Sequence, residues 1–171
     1  MNAEELRTLQ APFKERYTSH PELAKLTMGT SGVLLHDRLT CRVEGQFGPI
    51  DAGLHPAAGG DGKDACSIDM LMQAMVACAG VTFNLVATAM SVPFKSVKVI
   101  VEGDGDFRGA LGLAKDVPVG VMAMRMRFEV DSTASDEQLA LLIKQTERYC
   151  VVYQTLRHPP PVSVTLERVS A

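Results

Sequence analysis

The sequence predicts an α+β fold in which antiparallel strands wrap a long central helix, and three observations predict it. From Met70 to Pro93 the chain carries no charge (MLMQAMVACAGVTFNLVATAMSVP) except the carboxylate just before it, Asp69. Short segments with strand patterns lie on both sides, VLL and LTCRV before it and SVKVIVE and VMAMRMRFEV after it, the latter two with the period of half-buried strands. A second amphipathic stretch, SDEQLALLIKQTERYC, starts with the Ser-x-x-Gln spacing of a capping box at Ser135 and Gln138.

Each element has its own local reason. Ala3 to Tyr17 and Pro21 to Leu26 read as short surface helices, the first interrupted at Pro12, and residues 1–26 form a helical arm to a single domain spanning 1–171. Thr27 to Val43 reads as a hairpin turning at His36, Asp37 and Arg38, and Phe47 to Leu54 adds a third strand. HPAAGGDGK, His55 to Lys63, is a loop by its Pro and Gly content and matches neither a P-loop nor a dinucleotide fingerprint.

The central stretch should begin with Ser67 as N-cap, hold Asp69 against the positive end of the helix dipole, and stop near Val92 and Pro93. A narrow small or polar stripe (Gln73, Ala77, Gly80, Asn84, Ala87, Ser91) breaks an otherwise apolar wheel, which predicts burial on most sides. Cys78 falls on the row of Leu71, Ala74, Met75, Val81, Thr82 and Leu85, facing inward. After the strands, the second helix should run to His158, its apolar row (Leu139, Leu142, Ile143, Thr146) ending on Cys150, and Val162, Val164 and Leu166 should form a last strand.

Composition narrows the function. A net charge of -3 gives no general attraction to nucleic acid or acidic lipid, so a small uncharged substrate fits better than a polyanion. The central stretch is long enough to cross a bilayer, but Gln73, Thr82, Asn84, Thr88 and Ser91 punctuate it and no basic flank accompanies it. The N-terminus, charged and amphipathic, lacks the apolar core of a secretory signal, and the expected compartment is the cytoplasm. There the four cysteines, Cys41, Cys66, Cys78 and Cys150, should rest as thiols; their spacing suits no zinc site, and no metal or cofactor is expected. A helix apolar on most of its surface, in a chain with few and short strands, predicts a homodimer.

IDMLMQAMVACAGVT, followed about seventy residues later by ERYCVVYQTL, resembles the osmotically inducible protein C and organic hydroperoxide resistance family (OsmC/Ohr). The resemblance covers nearly the whole chain after Leu26. It implies an intertwined homodimer with active sites at the subunit interface, Cys78 as peroxidatic cysteine and Cys150 as resolving cysteine. It further implies reduction of small organic hydroperoxides, with an external dithiol as reductant. Val151 stands where many relatives have proline. The family pairs an acidic residue at the start of the central helix with an arginine. Asp69 fills the acidic place, nine residues and roughly 13 Å along the axis from Cys78, and Arg38, Arg42 and His55 are the candidates for the cation. Such a charge matters because Cys78 lies about three turns into its helix, beyond the reach of its dipole, and apolar surroundings alone would raise its pKa. A pocket lined by Leu71, Met75 and Phe83 would favour lipid-like or aryl peroxides. The alternative is a non-catalytic dimer of the same fold that binds an apolar ligand or serves a structural role.

Overall fold

A computed structural model describes residues 1–36 and 38–169; Asp37 of the predicted turn, and Ser170 and Ala171, lie outside the described residues. Helix α1, Ala3–Ser19, is closed by a capping box in which the Asn2 side chain accepts from the Glu5 N–H while Glu5 accepts from the Asn2 N–H. It runs through Pro12 without interruption, contrary to expectation, because the one backbone bond that proline removes faces solvent. A 3₁₀ turn, Pro21–Ala24, follows.

Strands β1 (Gly32–Leu35), β2 (Thr40–Val43), β3 (Ile50–Gly53) and β4 (Ala65–Cys66) form one sheet in that order. β1, β2 and β3 are successively antiparallel, with Leu34 opposite Cys41 and Cys41 opposite Ala52, and β4 runs parallel to β3. The loop between β3 and β4 is folded tightly at Gly60, where a Cβ would stand 1.8 Å from the Leu54 carbonyl oxygen. A second, two-stranded sheet pairs β5 (Ser96–Asp104) with β6 (Ala123–Asp131) along their full length, from Ser96 opposite Asp131 to Asp104 opposite Ala123. As the alternation predicts, Arg125, Arg127 and Glu129 occupy its exposed face. The excursion between these strands holds a one-turn helix, α3 (Phe107–Ala110).

Helix α2, Ser67–Met90, crosses the molecule and rests on β5, α1, α4 (Asp136–Tyr149) and α5 (Val151–Arg157). Its N-cap is Cys66 rather than Ser67, with no side-chain cap, and Ser67 is the first helical residue. It ends at Met90, where Ser91 takes a left-handed conformation (φ 54°) and the Val92 N–H returns to the Ala87 carbonyl at 2.9 Å, so the helix stops before Pro93. The core forms where α2 meets α4 and the two-stranded sheet: Phe83, Val86, Ala87, Val92 and Leu142 are buried, and Phe83 stacks on Phe128 at 5.4 Å.

Three expectations change here. α2 is not buried on most sides within one chain: 33% of its most apolar stretch is buried, and Ala74, Ala77, Val81 and Leu85 form an open face with Val81 70% exposed. The second helix does not run to His158 but breaks at Cys150, whose extended backbone (φ -73°, ψ 106°) separates α4 from α5. The last strand is not formed. Val162, Val164 and Leu166 are exposed in an extended tail, since β5 and β6 pair only with each other and an alternating segment without a strand beside it has no ladder to join.

Candidate functional site

The break after Tyr149 is what builds the site. In a continuous helix the amides of residues 151 and 152 would be spent on carbonyls one turn back; at a helix start they are free. Here the Val151 and Val152 N–H groups, the Cys150 thiol and the Thr82 hydroxyl all act on the Cys78 sulfur in the sense that favours its thiolate. Thr82 lies one turn after Cys78 on the same row of α2. Cys78 itself sits on the boundary of the helix, between buried Met75, Ala79 and Thr82 and open Ala74, Ala77 and Val81, and is half-buried. Cys150 is 0% exposed. Both are free thiols.

These contacts set the two sulfurs apart electrostatically. Burial pushes the Cys78 thiol up, but the Val152 N–H, the Cys150 thiol, the Thr82 hydroxyl and the Val151 N–H all favour the thiolate, and the net direction is down. Cys150 moves the opposite way: burial raises it, and sharing its proton with Cys78 adds to the rise. The pair therefore divides into a nucleophile that is easier to ionise and a neutral partner that holds its proton. Among the described residues, no side-chain cation is one of the groups that set this balance. The dipole of α2 does not reach Cys78, as the sequence indicates, but the backbone at the start of α5 supplies the donors that reading assigned to a cation.

The remaining candidates lie elsewhere. Arg42 is bound to Asp51 through Nε and Nη2 at 2.8 and 2.9 Å, and Arg38 bridges Asp51 at 2.9 Å and Asp64 at 3.2 Å, with the Thr40 hydroxyl donating to Asp64 at 2.8 Å. The hydrogen bond from Arg42 holds the Asp51 carboxyl below its usual range, and Asp51 in turn raises Arg42. These arginines tie strands β2 and β3 together and are not brought to Cys78. Asp69 is exposed in the first turn of α2 and shares a cavity of about 390 Å³ with His55, Met72, Glu102, Phe107 and Val121. His55 caps the 3₁₀ turn Pro56–Ala58, its Nδ1 accepting from the Ala57 N–H at 3.0 Å, and stacks on Phe107 at 4.9 Å. Asp69 and His55 thus meet at one cavity, away from the two thiols. The pocket expected from Leu71, Met75 and Phe83 is also corrected: Met75 and Phe83 are buried in the packing, Phe83 against Phe94 and Phe128.

Sequence reasoning missed Thr82 as a partner of the thiol, although it stood in the Cys78 row, and missed the Val151 and Val152 amides, which no side-chain pattern encodes. The β-branched pair after Tyr149 and Cys150 was the available signal, since such residues weaken a helix.

Residues 60–165 match the family model described as OsmC-like protein. No curated protein matches the chain in sequence. Among solved structures, an OsmC-like protein from Mycoplasma pneumoniae superposes with a TM-score of 0.66 at 18% identity, over 79% of this chain and 90% of that one. An organic hydroperoxide resistance protein from Elizabethkingia anophelis, with thiocyanate bound, gives 0.62 at 13% identity over 79% and 92%. One from Legionella pneumophila, described as an organic hydroperoxide resistance protein OsmC and predicted redox protein, gives 0.60 at 14% identity over 78% and 93%.

Proposed function

Because the chain belongs to the OsmC-like protein family, matched over residues 60–165, we propose that it is a thiol-dependent peroxidase reducing organic hydroperoxides to alcohols. The observation that carries this reading is the packing of α2 against the start of α5, which sets Cys78 beside the Cys150 thiol and the Val151 and Val152 amides that favour its thiolate. Solved structures that share the fold include proteins described by organic hydroperoxide resistance, which supports the substrate class.

The Cys78 thiolate attacks the distal oxygen of ROOH; the O–O bond breaks, the alkoxide takes a proton and leaves as ROH, and Cys78 becomes a sulfenic acid. The donors that favour the thiolate hold the sulfur in place for that attack. The Cys150 thiol then displaces hydroxide from the sulfenic sulfur, releasing water and closing a Cys78–Cys150 disulfide. An external dithiol reopens it by exchange, becoming a disulfide itself. Cytoplasmic thiol-reducing conditions suit such a cycle.

The working unit of this proposal is a homodimer. The open face of α2 at Ala74, Ala77, Val81 and Leu85 and the exposed tail at Val162, Val164 and Leu166 support it, as surfaces that a second copy would cover. A non-catalytic dimer remains the second reading, favoured by one observation: Arg38 and Arg42 are bound to Asp51 and Asp64 and add no positive charge at Cys78.

The test is mass-spectrometric mapping after one equivalent of an organic hydroperoxide. The peroxidase reading expects loss of two thiols per chain and a Cys78–Cys150 disulfide, a sulfenic acid trapped by a dimedone-type probe in Cys150→Ser, and no turnover in Cys78→Ser. A wild-type protein that keeps both cysteines reduced would leave the non-catalytic reading.

A further inference from the structure

The corner between α4 and α5 carries a groove of about 300 Å³ whose walls include Lys144, Glu147, Arg148, Gln154, Arg157 and His158. In a chain of net charge -3 this groove gathers three permanent cations and an imidazole against one carboxylate. Among the described residues, no ion pair uses Lys144, Arg148 or Arg157. Arg148 and Arg157 each stand in the last turn of a helix, where a cation complements the dipole. That accounts for each singly, but not for Lys144 or for their convergence on one groove.

The groove is held in shape, and its walls flank Cys150 in sequence. The Gln154 side chain donates to the Glu147 carbonyl at 2.8 Å, tying α5 back onto α4. Arg148 precedes Cys150 by two residues, and the other wall begins three residues after it at Tyr153. Unpaired charge on such a rim acts mainly on encounter, raising the association rate of a partner of opposite sign and orienting it.

We propose that this groove docks the acidic face of a protein-borne dithiol, the reductant that reopens the Cys78–Cys150 disulfide; the inference rests on the peroxidase reading above. Cys150 is fully buried and Cys78 half-buried, so the partner's thiolate attacks the Cys78 sulfur. The Cys78–Cys150 bond breaks, Cys150 leaves as a thiolate and takes a proton, and a mixed disulfide joins Cys78 to the partner. The partner's second thiol then closes its own disulfide and releases Cys78 as the thiolate, two electrons having passed to this protein.

The experiment uses the full chain and two peptides, each carrying two cysteines, one flanked by aspartates and the other by serines. Fluorescein-labelled versions with serine in place of both cysteines measure binding to the reduced protein. The aspartate peptide should bind about ten-fold tighter than the serine peptide at about 0.01 M salt, and lose that advantage at about 1 M, where the screening length falls from about 30 Å to about 3 Å. The advantage should vanish in Arg148→Glu/Arg157→Glu and persist in Arg148→Lys/Arg157→Lys, which keeps charge and fold. With the disulfide formed by diamide, the aspartate dithiol should reopen it about ten-fold faster than the serine dithiol, while dithiothreitol acts equally on wild type and the glutamate variant. Equal binding of the two peptides overturns the proposal, as does an oligothymidylate that binds as tightly as the aspartate peptide, since the groove would then be a general polyanion surface. Because diamide replaces hydroperoxide, a protein that forms the disulfide with diamide but not with peroxide loses the peroxidase reading while the groove is judged on the peptides.

Discussion

Proline at position 151 would delete one backbone donor from the Cys78 sulfur and little else. Val151 is the first residue of α5, where proline is tolerated because that N–H has no partner in its own helix. The residue before it, Cys150, has φ -73° and ψ 106°, outside the helical region and within about 15° of the extended region that a following proline favours. The valine side chain is 66% exposed, so its loss removes little packing. A hydrogen bond to a charged group contributes about 1.5–3 kcal/mol, and the lower end applies where water can partly replace the donor. About 1.4 kcal/mol corresponds to one pKa unit, so Val151→Pro should raise the Cys78 pKa, with a full unit as the upper bound because this amide is the smallest of the donors that favour the thiolate. At that bound the thiolate fraction well below the pKa falls about ten-fold. The more basic thiolate is intrinsically more nucleophilic, with a Brønsted slope of about 0.4–0.5, which leaves a net slowing of about three-fold. The assay is the alkylation rate of Cys78 against pH, followed by peptide mass spectrometry, with Val151→Ala as a control that keeps the N–H. A Val151→Pro profile superposable on wild type would refute the assignment of that amide to the thiolate.

Other outcomes follow from the same geometry. Thr82→Val, which keeps the shape and removes the hydroxyl, should also raise the Cys78 pKa and slow alkylation near neutral pH, whereas Thr88→Val, further along α2, should not. In the homodimer proposed above, Val81→Arg places a charge on the open face of α2 and should give a monomer by light scattering at micromolar concentration, without loss of helical signal. Gly60→Ala has no space beside the Leu54 carbonyl and should cost about 1–3 kcal/mol in urea titrations. Asp51 is held below its unfolded pKa, so its contribution is complete above about pH 4 and lost as pH falls through the folded value. Asp51→Asn should therefore flatten the fall of stability below about pH 4, read as the urea midpoint.

The elements that local chemistry specifies were legible in the sequence. The Ser135 and Gln138 capping box starts α4 as its spacing indicates, with the Gln138 side chain accepting from the Ser135 N–H at 3.0 Å. The alternation in SVKVIVE and MRMRFEV gives the paired strands β5 and β6 with charges outward. What failed depends on contacts distant in sequence. Helical periodicity carries through Cys150 because its side chain does face the core, and only the backbone angles at that residue reveal the break. The alternation of Val162, Val164 and Leu166 is real, but pairing needs an edge that this chain does not place beside them. Arg42 could be assigned to a thiol or a carboxylate by type alone; Asp51, opposite it in the register of β2 and β3, decides the matter.

The tripeptide Cys150–Val151–Val152 carries two duties at once: one residue offers a sulfur and the next two offer amides, all to the same atom. In the peroxidase cycle proposed above, a drift of this segment along α2 would change the rate of attack on peroxide and the rate of resolution together. Selection, or a protein engineer, acting on residues 150–152 would find the two rates genetically inseparable. Thr82 favours the same thiolate from the other helix and is free of that bond, which makes it, in the proposed cycle, the position from which the first step can be tuned while the second is left alone.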